Sequence, residues 1–510
     1  MNDLTRRCFL RNTAWAATGA VALPRFARGW YGLAGDGTPG YFEREFGITD
    51  AICRKILAEA LSKGGDFADL YFEHTIGNYL TLEDGKVSRA YGEIALGVGI
   101  RTVKGDQVGF GFTQQLSAPA MMAAAATAAT IANGTAVQPA AALTWTKLAD
   151  TYPLDRLLTA VPVESKVPLV QSVNDKCFAS SALVVKVTSQ LHDEQKRIMV
   201  VSSEGTKAED LRPRTYLTAT VVAEKDGKRE RANWNFGGRR SLSYFTPAVV
   251  DELVKTAVGR AVTLFGAVQP PAGEMPVVLG PGVTGVLLHE AIGHGMEADF
   301  NRKKISTFTT MIGRKVAEPD VTIVDDATIP QLIGSLNVDD EGTPGQRTVL
   351  VDKGILTSYL HDKISARFYG VKPTGNGRRQ SYQYYPVPRM RNTYMLAGPA
   401  SPEEVIKQAG KGIYVQDVSN GQVKIGEGDF AFYVSQGRMI EDGKLGAPIK
   451  DVNIMGNGPK MLAAIVAVGN DLQMYQGGTG MCGKAGQGVP AGFGQPTVLV
   501  KSLTVGGVKA

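Results

Sequence analysis

The sequence predicts an α+β protein: two domains of mostly antiparallel sheet with packed helices. Three observations predict it. Stretches of period-two alternation, turned by Asp-Gly and Gly-Asp pairs, recur in both halves. Helical spacing is confined to isolated segments between them. The run GAVQPPAGEM then breaks the pattern near 266–275, separating an N-terminal domain over 40–265 from a C-terminal domain over 272–510. A chain of 510 residues, 44% hydrophobic and 20% charged, is long enough for two to four full cores.

Residues 1–30 read as an address. Thr5-Arg6-Arg7-Cys8-Phe9-Leu10-Arg11 precedes the apolar run TAWAATGAVALP, the pattern of a twin-arginine export signal, so a periplasmic location is expected. That run is too short to span a bilayer, and no other stretch approaches a transmembrane length. Residues 48–63 carry Ile52, Ile56, Leu57, Ala60 and Leu61 at helical spacing and stop at Gly64-Gly65. Two hairpins follow, turning at Asp84-Gly85 and Gly105-Asp106, then an alanine-rich helix over 117–132 with Ser117 as N-cap. A helix near 164–178 leads into strands ALVVKVTSQL, KRIMVVSS and RTYLTATVVAEKDGKRERAN. Thr246-Pro247 opens a helix over 246–265. The second half begins with the strand PVVLG and a helix through GVTGVLLHEAIGHGMEADF; short strands and a helix at 401–410 complete it.

The net charge of +6 is misleading, because residues 1–30 hold five arginines against one aspartate and leave a surplus of only two elsewhere. Such a body carries no footprint for nucleic acid. Cys53, Cys177 and Cys482 are too far apart to read as a disulfide framework.

The chemistry lies in His289-Glu290-Ala291-Ile292-Gly293-His294, which uses two of only five histidines. Two imidazoles and an adjacent carboxylate suit Zn²⁺: a zinc-bound water is acidified to a pKa near ~7, and Glu290 takes its proton as general base. The spacing is unusual. Histidines five apart on a regular helix diverge by about 140° around the axis and about 7.5 Å along it. A π-bulge would bring them together, and Gly293 and Gly295 leave the backbone soft there. A catalytic zinc needs a third protein ligand. His74, His192, His361, Glu297, Asp299 and Cys482 all remain candidates on spacing; Cys482 stands out because YQGGTGMCGKAGQGVPAGFGQP is a shaped, glycine-dense loop.

HEAIGHGMEADFNRKKISTF, GSLNVDDEGTPGQRTVLVDKGIL, PTGNGRRQSY, PRMRNTYMLAG and VGNDLQMYQGGTGMCGKAGQGVPAGFGQP resemble the TldD branch of the TldD/PmbA metallopeptidase family. DFADLYFEHTIGNYLTLEDGKV and GVGIRTVKGDQVGF resemble its N-terminal half, and the likeness runs in order from about residue 45 to the end. The resemblance implies one zinc held by His289, His294 and Cys482, with Glu290 as base, and hydrolysis of unstructured or extended peptides. It further implies a dimer, either with itself or with a PmbA/TldE-like partner. The export signal departs from the family pattern.

Softer candidates remain. Arg378, Arg389 and Asn392 are expected to bind substrate, Arg378 by gripping a carboxylate. Asp339-Asp340-Glu341, before Gly-Thr-Pro-Gly, reads as a solvated turn more than a second metal site. His361 reads as partly exposed and uninvolved, and His74 and His192 as ordinary strand residues. Two other functions stay open: a non-catalytic peptide-binding subunit with a structural zinc, and a zinc hydrolase of non-peptide amides.

Overall fold

The structure is a computed structural model that describes residues 39–136, 141–424 and 427–507. The twin-arginine segment lies outside the described residues. The N-terminal half is built on a seven-stranded sheet: β1 (Phe67–Glu83), β2 (Lys86–Lys104), β3 (Gln107–Thr113), β4 (Thr144–Trp145), β5 (Val184–Ser202), β6 (Thr206–Lys225) and β7 (Lys228–Gly238). The order is β3-β2-β1-β5-β6, and β6 also pairs with β7 and, in parallel, with the short β4. The Asp-Gly turns form because both residues adopt positive φ, 47° and 79° at Asp84-Gly85 and 50° and 73° at Asp226-Gly227.

Period two decides what each face of this sheet meets. Leu70, Phe72, Leu80 and Leu82 of β1 point to one side, under helices Asp50–Ala60, Ala118–Ala129, Val167–Ser180 and Pro247–Thr263. Thr49 and Thr246 cap two of these helices by accepting from Ile52 N and Val249 N. Ser117 makes no side-chain cap bond. On the other side, Asp69, Tyr71 and Glu73 face the C-terminal half, where Tyr71 packs with Val338 and Tyr382. Gly97 of β2 is glycine because a Cβ there would stand 2.5 Å from the Tyr382 ring.

In the C-terminal half five strands close into a ring: Gly412–Lys424, Gly273–Leu279, Val498–Gly506, Val452–Asn457 and Asp429–Glu441, the last pairing back to the first. Closure leaves no free edge within the ring. A second, six-stranded sheet of short strands includes Ile323–Asp326, Asn392–Met395 and Gly492–Gln495. Leu287, Leu288, Ala291, Ile292 and Met296 of the histidine segment are buried against this half. Each of the leucine, isoleucine and methionine side chains contributes about 1.5–3 kcal/mol by leaving water.

Asp339, Asp340 and Glu341 are not a solvated turn; they are 0%, 2% and 0% exposed at the seam between the halves. Arginines compensate them. Arg101 of β2 contacts both Asp69 and Glu341, Arg212 of β6 donates to Asp340 at 2.6 Å, and Arg379 donates to Asp69 at 3.1 Å. Backbone amides complete the shell, with Glu341 N, Thr343 N and Gly377 N donating to Asp339. Removing one partner from such a buried network costs about 3–5 kcal/mol. These ion pairs therefore fix how the sheet of the first half sits on the loops of the second.

Candidate metal centre

The segment from Val283 to Arg302 is a chain of single turns: Val283–Gly285 in 3₁₀ form, Val286–Leu288 in α, His289–Gly293 in π, His294–Met296 in 3₁₀ and Ala298–Arg302 in α. A π-turn closes i→i+5 bonds, so it brings together residues five apart. The His289 and His294 rings accordingly converge, with centroids 5.3 Å apart and planes at 86°. The flanking glycines serve close packing more than softness. Gly293 has ordinary helical dihedrals, but a Cβ there would run into the buried Met390 sulfur; one at Gly295 would stand 2.7 Å from the Phe308 ring.

Cys482 reaches the same point from the other end of the domain. The glycine-dense loop contains a two-stranded hairpin, Met481–Lys484 with Gln487–Pro490, turned at Ala485 and Gly486 with φ of 51° and 70°. Its Sγ lies 3.6 Å from His294 Nε2, and donor atoms of His289, His294 and Cys482 all fall within 4.8 Å of one another. Bonds of about 2.3 Å to sulfur and about 2.05 Å to nitrogen give a tetrahedral N···S edge near ~3.5 Å. Neither ring nitrogen of His289 has a hydrogen-bond partner, although the residue is 1% exposed. His192 is orphaned in the same way but lies against the Tyr79 and Tyr216 rings, so what sets His289 apart is the convergence of its donor atoms with those of His294 and Cys482.

The charges agree. Burial is the chief cause that pushes Cys53, and the sole one that pushes Cys177, up to about 12. Burial acts on Cys482 in the same direction, but the charges of His294 and His289 outweigh it and hold the thiol well below its ordinary value. This is the one described cysteine poised as a thiolate, the form that binds metal.

His294 Nδ1 bonds Glu297 Oε2 at 3.0 Å, which leaves Nε2 for the cluster. Lys484 Nζ in turn meets Glu297 Oε2 at 2.9 Å and Asp299 Oδ1 at 2.7 Å. Against the upward push of burial, Lys484 and His294 hold Glu297 down to about 2. Lys484, two positions from Cys482, thus ties the hairpin to the turn after His294. Glu290 differs from all of these: its side chain is 26% exposed and its Oε2 lies 3.6 Å from His294 Nε2. It is a carboxylate at the open side of an otherwise buried cluster.

Models of the PmbA/TldA metallopeptidases match in three pieces: domain 1 over residues 68–132, the central domain over 156–265 and the C-terminal domain over 272–507. The chain belongs to the PmbA/TldD metallopeptidase family. Metalloprotease TldD homolog of Haemophilus influenzae is 41% identical over 450 residues, 87% of this chain and 93% of that protein. A metalloprotease of Methanothermobacter thermautotrophicus is 33% identical over 445 residues, 87% of this chain and 96% of that one. In fold, TldE from Thermococcus kodakarensis superposes with a TM-score of 0.70 at 18% identity, covering 89% of this chain and 100% of the other. A solved structure from Thermotoga maritima gives 0.73 at 23%, covering 89% and 99%.

In this PmbA/TldD chain the residues expected to meet substrate are buried and already engaged. Arg389 donates to the Cys482 carbonyl, and Arg378 to the Met390 carbonyl and, at 2.6 Å, to that of Pro490. Both brace the Cys482 hairpin. Asn392 donates to Asp326 O at 2.7 Å and Ser335 Oγ at 3.0 Å, joining strands below the site. His361 is 5% exposed, not partly open, and packs on Tyr369 away from the trio. Asp299 does not join the trio; it pairs with Lys484. Lys484 is the functional neighbour that sequence reasoning missed, and its only signal was its place two residues beyond the cysteine.

Proposed function

We propose that this metallopeptidase is zinc-dependent and hydrolyses peptide bonds in extended peptides, with His289, His294 and Cys482 as ligands and Glu290 as general base. The observation that carries the reading is the π-turn, which aims two imidazoles at one buried thiolate and leaves a carboxylate beside them. The donor set of two nitrogens and one sulfur suits zinc over magnesium or calcium, which take oxygen ligands. When bound, the ion supplies a Lewis acid that lowers the pKa of a water towards about 7.

The chain's own residues do the rest. Glu297 fixes the His294 tautomer, and Lys484 neutralises Glu297. The Cys482 thiolate adds negative charge and weakens the Lewis acid, which makes a nearby base more important. Glu290 Oε2 removes the proton from the attacking water and returns it to the leaving amine. Glu290→Gln should keep full zinc content and lose hydrolysis of unstructured peptides. Turnover retained by a fully loaded Gln variant would refute the role.

A structural zinc would be closed by four protein ligands. Three donors form the group among the described residues, and the neighbouring Glu290 reaches solvent, which favours the catalytic reading. By likeness to TldE in fold, we further propose that the chain works as a dimer, with its own copy or with a TldE-like subunit. Mass measurement of the purified protein with and without such a subunit decides between them. Export rests on Thr5-Arg6-Arg7 and the apolar run after it. Cell fractionation of an Arg6→Lys/Arg7→Lys double variant tests that route.

A further inference from the structure

Beside the Cys482 hairpin, where the two halves meet, lies a cavity of about 250 Å³. Six cations line it: Lys196, Arg212, Arg214, Arg239, Arg378 and Arg379. Only Glu194 and Asp340 oppose them from its wall. Three of the cations are ion-paired. Arg212 pairs with Asp210 and Asp340, Arg379 with Asp69, and Lys196 with Glu73. Arg214, only half-buried, donates to the Gly478 carbonyl at 3.0 Å and lies across from Glu194 in the β5–β6 register.

Arg239 and Arg378 are left over. Each is 3% exposed, and among the described residues neither contacts a carboxylate. Arg239 lies over the Tyr152 ring, 5.2 Å from its centroid, donates a hydrogen bond only to Pro213 O, at 3.3 Å, and its buried Nε has no partner. Arg378 donates to the Met390 and Pro490 carbonyls alone. Asp340, the acid on the same wall, is occupied by Arg212 and by the amide of Arg379. Buried cations are ordinarily paired, because an unpaired one loses its hydration with nothing in return. Burial drives the Arg378 guanidinium down to about 9, Asp340 opposing the fall and Arg239 adding to it. Two guanidinium groups facing one cavity, neither in contact with a carboxylate, form a preorganised anion site, and their planar forks fit a carboxylate.

The position of the cavity ties it to the metal centre. Met481, Val489 and Pro490 of the hairpin line it. Met481 pairs with Pro490, and Cys482 with Val489. Successive strand residues point to opposite faces, so Met481 faces the cavity while Cys482 faces the histidines. Val489, the cross-strand partner of Cys482, also borders the cavity, so the two sites share one two-stranded ribbon.

We propose that this cavity is a subsite for a carboxylate of the peptide substrate, held between Arg239 and Arg378. The proposal rests on the peptidase reading above. The carboxylate comes either from the peptide's C-terminus or from an acidic side chain; both offer the same chemistry.

The test uses zinc-loaded full-length protein and an N-acetylated hexapeptide of alanine, glycine and phenylalanine. The peptide is made as the C-terminal acid, as the C-terminal amide, and as the amide with one internal glutamate or glutamine. An acidic member should show a KM at least tenfold below its neutral counterpart, and added salt should shrink the gap. Preference for the acid over the amide assigns the C-terminus; preference for glutamate over glutamine assigns a side chain. In Arg239→Met the ratio should fall towards one, and Arg239→Lys should restore part of it. Equal KM across the wild-type series overturns the subsite, whether or not any variant folds. Calorimetric binding of the same peptides to zinc-loaded Glu290→Gln protein reads the preference without turnover. A series that binds with discrimination but is never cut refutes the peptidase reading and keeps the subsite; one that is cut without discrimination does the reverse.

Discussion

Gly458 opens the short helix Gly458–Ala463 and lies against the π-turn. A Cβ at this position would overlap the Ala291 carbonyl oxygen and stand 2.7 Å from its carbonyl carbon. Non-bonded carbons sit comfortably at about 3.5–4.0 Å, so Gly458→Ala must push the two segments apart by about 1 Å. Ala291 lies between His289 and His294, in the turn that makes them converge. Overpacking of this kind destabilises by about 1–3 kcal/mol. A misplacement of about 1 Å at reacting groups lowers rate by around 10²-fold. The variant should therefore keep its fold, melt earlier, and lose zinc occupancy and peptide turnover together. The assays are thermal unfolding, metal analysis and kcat/KM on an unstructured peptide. Gly259→Ala is the control: it sits on an exposed helix face with nothing near its would-be Cβ, and should gain about 1 kcal/mol without touching zinc. If Gly458→Ala binds zinc and turns over peptide like the wild type, the π-turn does not set the site geometry.

Three further outcomes follow from the same structure. Cys482→Ala should drop zinc from about one per chain to near none; unchanged zinc would remove the thiolate from the ligand set. Glu297→Gln removes one of the two carboxylates that hold Lys484 and unfixes the His294 tautomer, so zinc affinity should fall about 10–100-fold in competition with a chelator. Burial, reinforced by the Glu341 charge, pushes the Asp339 carboxyl from 3.8 up to about 7. A raised carboxyl contributes stability that is full below its unfolded value and lost as pH rises through the folded one. Melting temperature should therefore decline between about pH 5 and pH 8, and Asp339→Asn should flatten that decline; an equal slope in the variant would dismiss Asp339 as its source.

Local signals were readable where the chain answers to its own neighbours. Asp84-Gly85 and Asp226-Gly227 turn hairpins because both residues tolerate positive φ, and Thr246 caps its helix because its hydroxyl reaches Val249 N. The π-turn was legible from the conflict between a five-residue spacing and the need for two rings at one ion. Asp339-Asp340-Glu341 misled because their compensation is distant: Arg101, Arg212 and Arg379 come from separate strands and loops, and Arg101 lies 240 positions from Glu341. Nothing in the acid run itself distinguishes a paired cluster from a wet one. Arg389 was ambiguous in the same way, since a guanidinium that grips a ligand and one that braces a backbone carbonyl look alike in one dimension.

The Cys482 sulfur meets an imidazole 188 positions earlier in the chain. During synthesis the histidines emerge long before the thiol does, so on the proposed ligand set a ribosome-bound precursor has two ligands and no third. Hydrolytic competence would then wait for translation to pass residue 482, and a product terminated before that point would be inert towards the proteins around it.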